Sequence, residues 1–293
     1  MRQGSPSGGV RPACAIQVRL LHSEAQGQIG GSYKNTMSDI GKFFRENGYY
    51  FAKGIYSAEE VEVMESDFDR VVDQLLKSDE NVNARWKSRL TDALDGGESV
   101  IIHTHNIQGF SAVWMQAFLQ EKFLDTTEAI LGPDIMLHHS KLFCKPPETG
   151  SPFPMHQDWQ YFPSVKDTMI AAIIYVSEAT DEMGCVRVYP GSHKQLGRTG
   201  GMIGDGANAE VTDRYPIENA TVLEAEPGDV LFFSYFTLHG SMPNYSSKTR
   251  KSVLVQMHAG DDEIEAENSH TNVQLVLRGW NHLATRSSVG GIR

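Results

Sequence analysis

The segment Met155-His156-Gln157-Asp158-Trp159 carries residue types that bind metals, at a short and regular spacing. In a strand, residues two apart point to the same face, so His156 and Asp158 would present an imidazole and a carboxylate side by side. His239 follows the apolar run from Val230 to Leu238, and Arg250 stands eleven residues further on. Two histidines and one carboxylate on one side of a metal leave three coordination positions open, the arrangement used by non-haem Fe(II) oxygenases. An arginine on the neighbouring strand would add a planar, two-pronged partner for a carboxylate. An HxD match alone is a weak signal in a chain with 11 histidines. The ordered set of four residues gives it weight.

The other histidines have competing readings. His138 and His139 are adjacent, so on a regular strand they face opposite ways and cannot share a metal. His103 and His105 share a face and form a rival pair, but no carboxylate stands nearby in sequence to complete a triad. His258 has the strand parity of Arg250, which suits a pocket wall or a core position equally. Trp159 and Tyr161, just after the ligand pair, are candidates for the substrate side of the pocket or for packing. Lys194, Arg198 and Arg214 flank a glycine-rich stretch, Gly197 to Gly206, that reads as a flexible loop or lid.

These side chains need elements to hold them. Ser57 followed by Glu60 forms a capping box, and Val61, Met64, Phe68, Val71, Val72 and Leu75 share one face, predicting a helix to about Lys77. A short helix is expected over Ile40 to Glu46, closed by Asn47-Gly48, then an extended stretch from Tyr49 to Ala52. A further helix is expected over Ala112 to Leu131, with Ser111 as N-cap and Gly132-Pro133 closing it. Beyond Pro133 come short β-rich runs: Ile135 to Phe143, Met169 to Val176, Val186 to Tyr189, Thr221 to Glu224, Val230 to Leu238 and Ser252 to His258. Helices first and many short strands afterwards predict an α+β fold with the strands in a sandwich or jelly roll.

Composition bounds the rest. With 26 Lys plus Arg against 37 Asp plus Glu, the net charge is −11, which disfavours a nucleic-acid surface. The longest wholly apolar run, Met169 to Val176, is far shorter than the roughly 20 residues of a membrane span. Cys14, Cys144 and Cys185 are too few for a disulfide framework, so a reducing, cytoplasmic compartment is expected. Residues 1–36 hold six glycines, one acid and no apolar period. They read as a disordered leader, a weak organelle-targeting segment or upstream sequence, with residues 37–293 as one domain.

The chain resembles the phytanoyl-CoA dioxygenase family of Fe(II)- and 2-oxoglutarate-dependent oxygenases. The resemblance is carried by Gly132-Pro133-Asp134-Ile135, Lys145-Pro146-Pro147, His156-Gln157-Asp158 through Tyr161-Phe162-Pro163, Gly184-Cys185, Pro190-Gly191-Ser192-His193, Pro227-Gly228-Asp229, His239-Gly240-Ser241 and Arg250. These blocks run in family order between about residues 40 and 260. The resemblance implies a double-stranded β-helix, or jelly roll, with flanking N-terminal helices. It implies that His156, Asp158 and His239 bind Fe(II), and that Arg250 and Ser241 hold the distal carboxylate of 2-oxoglutarate, with O2 as cosubstrate. The family's tryptophan after the HxD motif and its lysine near the cosubstrate are replaced by Ile173 and Asn106, which leaves Lys141 or His105 to compensate. The implied activity is oxidation, by default hydroxylation, of an unactivated C–H bond in a small-molecule or acyl substrate, with release of succinate and CO2. A monomer or homodimer without nucleic-acid or membrane partners is expected. The competing readings are a non-catalytic jelly-roll binding module with a vestigial metal site and a zinc hydrolase, which would have no use for Arg250.

Overall fold

The structure is a computed structural model and describes residues 30–86, 89–199, 213–265 and 270–290. Two antiparallel sheets face each other. The major sheet runs β1 (Tyr49–Ala52), β8 (Val230–Ser234), β5 (Ile170–Tyr175), β10 (Arg250–Ala259), β3 (Ile135–Lys145) and β11 (Leu275–Arg278), with β2 (Ile102–His105) also pairing β3. The minor sheet runs β4 (Phe153–His156), β9 (His239–Ser241), β6 (Val186–Val188) and β7 (Thr221–Leu223). This is the expected jelly roll.

Alternation along the major strands builds two cores. Ile170, Ala172 and Ile174 of β5, Val230 and Phe232 of β8, and Val253 and Val255 of β10 face a helical layer. Ala171, Ile173 and Tyr175, with Leu231, Phe233 and Leu254, face the minor sheet instead. Strands covered on both faces are apolar throughout, which explains the unbroken run at Met169 to Val176. The helical layer is α2 (Ala58–Leu76), α4 (Ala112–Phe118) and α5 (Glu121–Leu131). The α2 start has the reciprocal capping box: Glu60 N–H donates to Ser57 Oγ (3.2 Å), and Ser57 N–H to the Glu60 carboxylate (2.7 Å). Its apolar face, with Phe68 and Val71 fully buried, packs edge-on against Trp114 of α4, ring centroids 6.4 Å apart. Burying such aromatics contributes about 2–3 kcal/mol each, which fixes this layer against the back of the major sheet.

Three expectations are corrected. The stretch from Ala112 to Leu131 is two helices, because Leu119 closes α4 and the Gln120 side chain accepts from Phe123 N–H (2.9 Å), capping α5. The first helix, α1, spans Gly30–Asn47, so it takes in the last seven residues of the segment read as a leader. Residues 1–29 lie outside the described residues, as does the glycine-rich stretch beyond Thr199. The run Val230 to Leu238 is not one strand: β8 ends at Ser234, and a turn hands the chain to the minor sheet, where His239 opens β9.

Candidate metal centre and carboxylate clamp

His156 is the last residue of β4 and pairs across the minor sheet with His239, the first of β9. Their rings lie 4.2 Å apart, centroid to centroid. Asp158 is not on the strand; it sits in an αR turn (φ −84°, ψ −19°) that starts a short 3-10 helix, so the expected strand alternation does not place it. The turn does: Asp158 and Trp159 N–H both donate to the Tyr235 carbonyl (2.9 and 3.2 Å), which carries the carboxylate back over the two rings. Asp158 Oδ1 is then 3.4 Å from His156 Nε2 and 3.8 Å from His239 Nε2.

The outer partners fit a metal. His156 Nδ1 is 2.8 Å from the Pro154 carbonyl and His239 Nδ1 is 3.0 Å from the Thr237 carbonyl. A carbonyl only accepts, so both rings carry a proton on Nδ1 and turn Nε2 inward. Gln256 Nε2 donates to Asp158 Oδ2 (2.9 Å), leaving Oδ1 toward the histidines. Burial, helped by His156, lowers His239 to about 4. For Asp158 burial acts upward, but the positive forms of His239 and His156 and the Lys141 ammonium outweigh it and hold the carboxyl low. Neutral imidazoles and an ionised carboxylate are the states a divalent cation requires. Among the described residues these three form the one cluster of at least three such groups whose ligand atoms converge, all within 4.8 Å.

The triad opens onto a cavity between the sheets. The inward face of β10 runs along it as Arg250, Ser252, Leu254 and Gln256, so the arginine lies at one end and the residue that steadies Asp158 at the other. Arg250 is buried and donates to the Gly184 carbonyl, while its Nε has no partner. Gly184 has φ +67°, and a Cβ there would stand 2.1 Å from the Met242 carbonyl, so only glycine permits that backbone path. Ser241 faces Arg250 across the cavity, and Lys145, opposite Arg250 in register, donates to Ser241 Oγ (2.7 Å) and to the Met242 carbonyl (2.8 Å). Neither Arg250 nor Lys145 has an acidic partner among the described residues. A buried guanidinium with an unmet N–H and no acid beside it among the described residues suits a carboxylate.

Sequence placement is mixed for the remaining candidates. Lys141 and Tyr161 line the cavity, and Ile173 forms part of its wall. Asn106 does not: it stands in an αL turn (φ 54°) after edge strand β2, its N–H on the Ser140 carbonyl (2.7 Å), outside the cavity wall. Trp159 turns away too, packing on Phe236 with Arg198 over its ring. His105 is exposed, and His103 Nδ1 donates to the Val82 carbonyl (3.3 Å). His258 lies past the cavity, its Nδ1 on the Ala259 carbonyl (2.9 Å). Arg198 is taken up by Asp167 and Glu265. His138 and His139 do not face opposite ways. In register, Gln256 pairs with His139 and Met257 with Leu137, leaving His138 as the extra residue of a β-bulge. Their Nδ1 atoms lie 2.6 Å apart.

Lys145 and Gln256 were missed as site residues. Gln256 could have been found as the third alternate residue after Arg250. Lys145 could not be paired with Ser241 without the register. His270 and Trp86, also on the cavity wall, come from irregular segments with no pattern to read.

Iron-dependent dioxygenases that consume 2-oxoglutarate need an open metal face and, a short distance away, a clamp for a second carboxylate. This is the class into which the chain falls. The family model described as "Phytanoyl-CoA dioxygenase (PhyH)" matches residues 44–252, and the chain belongs to that family. It is 31% identical over 153 residues to a "Probable alpha-ketoglutarate-dependent hypophosphite dioxygenase" of Stutzerimonas stutzeri, covering 48% of this chain and 51% of that protein, so it spans about half of that relative's length. It is 27% identical over 231 residues to the peroxisomal phytanoyl-CoA dioxygenase of Mus musculus, covering 75% and 68% respectively. The fold matches the epimerase SnoN, solved with Fe3+, alpha-ketoglutarate and nogalamycin RO, at TM-score 0.64 and 19% identity, over 84% of this chain and all of that one.

Proposed function

We propose that this protein hydroxylates an unactivated C–H bond of a small molecule, coupling the step to decarboxylation of 2-oxoglutarate. One observation carries the reading: the two-histidine, one-carboxylate cluster and the unpaired buried arginine open onto the same cavity. His156, Asp158 and His239 would hold the iron, and Arg250 with Ser241 would hold the distal carboxylate of the keto acid. Bound there, the iron and keto acid supply the oxidising power of O2, with one oxygen leaving in succinate and carbon lost as CO2.

The chain's own residues do the positioning. The Pro154 and Thr237 carbonyls fix both imidazole tautomers, and Gln256 holds the outer carboxylate oxygen, so the metal face does not rearrange between turnovers. Lys145 occupies a lone pair of Ser241 Oγ, which leaves the serine proton free to donate to a carboxylate beside Arg250. Phe143, Phe153, Phe233 and Leu254 line the space between and keep it dry, which strengthens the arginine–carboxylate pairing. An Asp at position 158 fills the position that a halide would need, which favours oxygen transfer over halogenation.

The test is anaerobic addition of Fe(II) and 2-oxoglutarate, followed by O2. A weak visible charge-transfer band and slow release of succinate are expected. Absence of both with iron demonstrably bound would leave a binding module in place of an enzyme.

A further inference from the structure

We infer that Lys141 anchors the substrate, and that the substrate is an organic anion with an apolar body. The inference rests on the proposed dioxygenase reading and adds the substrate class.

Lys141 projects from β3 into the cavity, in register with Leu254 of β10. Its position separates it from the distal clamp: Lys145, the residue opposite Arg250, is four residues along the same strand, about 13 Å away. The neighbouring pair on the other side is His139 with Gln256, and Gln256 is the residue that holds Asp158. Lys141 therefore stands at the metal end, where a substrate must present its reacting carbon.

Among the described residues no acid takes up its charge. Lys141 Nζ shares a hydrogen bond with His270 Nε2 (2.6 Å), and among the described residues it has no acidic partner at ion-pair distance. The acid it feels, Asp158, belongs to the metal. In the loaded enzyme the two charges of iron(II) are offset by Asp158 and the chelating carboxylate, and Arg250 is offset by the distal carboxylate. Among the described residues Lys141 and Lys145 are then left without an acid, and of the two only Lys141 lines the cavity. Burial lowers Lys141 to about 8, so it remains mostly protonated at neutral pH. A half-buried cation with no acid beside it among the described residues carries a desolvation cost, and an anionic ligand reduces that cost.

The walls around it specify the rest of the ligand. Trp86 and Tyr161 lie 5.9 Å apart, centroid to centroid, and Tyr161 lies 5.9 Å from the His270 ring that holds Lys141. Phe162 completes this aromatic side of the cavity. An acid group on Lys141 would carry its hydrocarbon against these rings and beneath the open metal face.

The probes are n-butylphosphonate, n-butanol and n-butylamine, added to anaerobic enzyme loaded with Fe(II) and 2-oxoglutarate. Binding is read as a saturable shift of the charge-transfer band. The phosphonate is expected to shift the band, and the alcohol and amine are not. Lys141→Met should weaken phosphonate binding about tenfold or more while the Kd for 2-oxoglutarate stays within about twofold, and Lys141→Arg should restore part of the loss. The methionine is close in length and apolar, and an unchanged Tm would show that the wall is intact. Unchanged phosphonate binding in Lys141→Met, a weakened 2-oxoglutarate affinity, or a wild-type band indifferent to the phosphonate would each overturn the inference. A wild-type enzyme with no band at all would instead remove the dioxygenase reading beneath it.

Discussion

The two ends of the cavity are built in different ways. At the clamp end, Arg250 and Lys145 are cross-strand neighbours on the two longest strands, and their direction follows from alternation along β10 and β3. At the metal end, His156 closes a strand, His239 opens one, and Asp158 stands on neither. The clamp is a regular lattice position, whereas the metal site is assembled from strand ends and a turn pinned to the Tyr235 carbonyl. Regular sheet gives a deep, rigid, dry receptor. Strand ends give three ligands that converge from different directions, which a single pleated face cannot do.

This contrast can be broken at either end. The largest effect is expected at the metal: Asp158→Ala should remove turnover by more than about a hundredfold, beyond the roughly 10–100-fold typical of residues that only support a ligand. Iron affinity should fall with it, while the clamp stays formed. Iron binding by equilibrium dialysis and succinate release check both, and near-normal turnover would sink the triad. Next is the clamp. Arg250→Lys should raise the KM for 2-oxoglutarate by about ten- to a hundredfold, or about 1.4–2.8 kcal/mol, with iron affinity nearly intact, because an ammonium cannot match both carboxylate oxygens. A 2-oxoglutarate titration beside an iron titration separates the two ends; wild-type cosubstrate dependence would place the clamp elsewhere.

A third break concerns acid. Burial lowers His138 from 6.5 to about 3, and burial with the Lys141 charge lowers His139 well below its usual value. A base kept neutral by the fold takes up more protons when unfolded, so its contribution is complete above pH 6.5 and is lost as pH falls toward the folded value. Each such group costs about 1.4 kcal/mol per pH unit within that window. Both lie on the bulged half of β3, and the clamp half has no histidine. Hydrogen exchange at pH 5 should therefore rise first over residues 135–139 and later over 143–145. Uniform exchange along β3 would contradict this.

Legibility in the sequence follows the same division. Ser57 with Glu60, the face Val61 to Leu75, and the strand runs after Pro133 carry local periodic signals, and these elements form where expected. Arg250 was legible because β10 is regular. The geometry around Asp158 was not, since a turn set by a distant carbonyl leaves no spacing rule, although the residue types singled out the three side chains that the structure brings together. Asn106 failed because an αL turn after an edge strand removes it from a face that alignment alone would give it. The His138 bulge is invisible to alternation because it consists of breaking it.

The hydrogen bond from Arg250 to the Gly184 carbonyl has one more consequence. Gly184 is itself locked against the Met242 carbonyl, and the histidines at the other end are tied to Pro154 and Thr237. On the proposed reading, with both ends anchored to backbone, the cavity would work as a ruler. A keto diacid one methylene too long or too short would engage one anchor and miss the other, so cosubstrate choice becomes a matter of length, set by main-chain geometry more than by any side chain that could swing to meet a substitute.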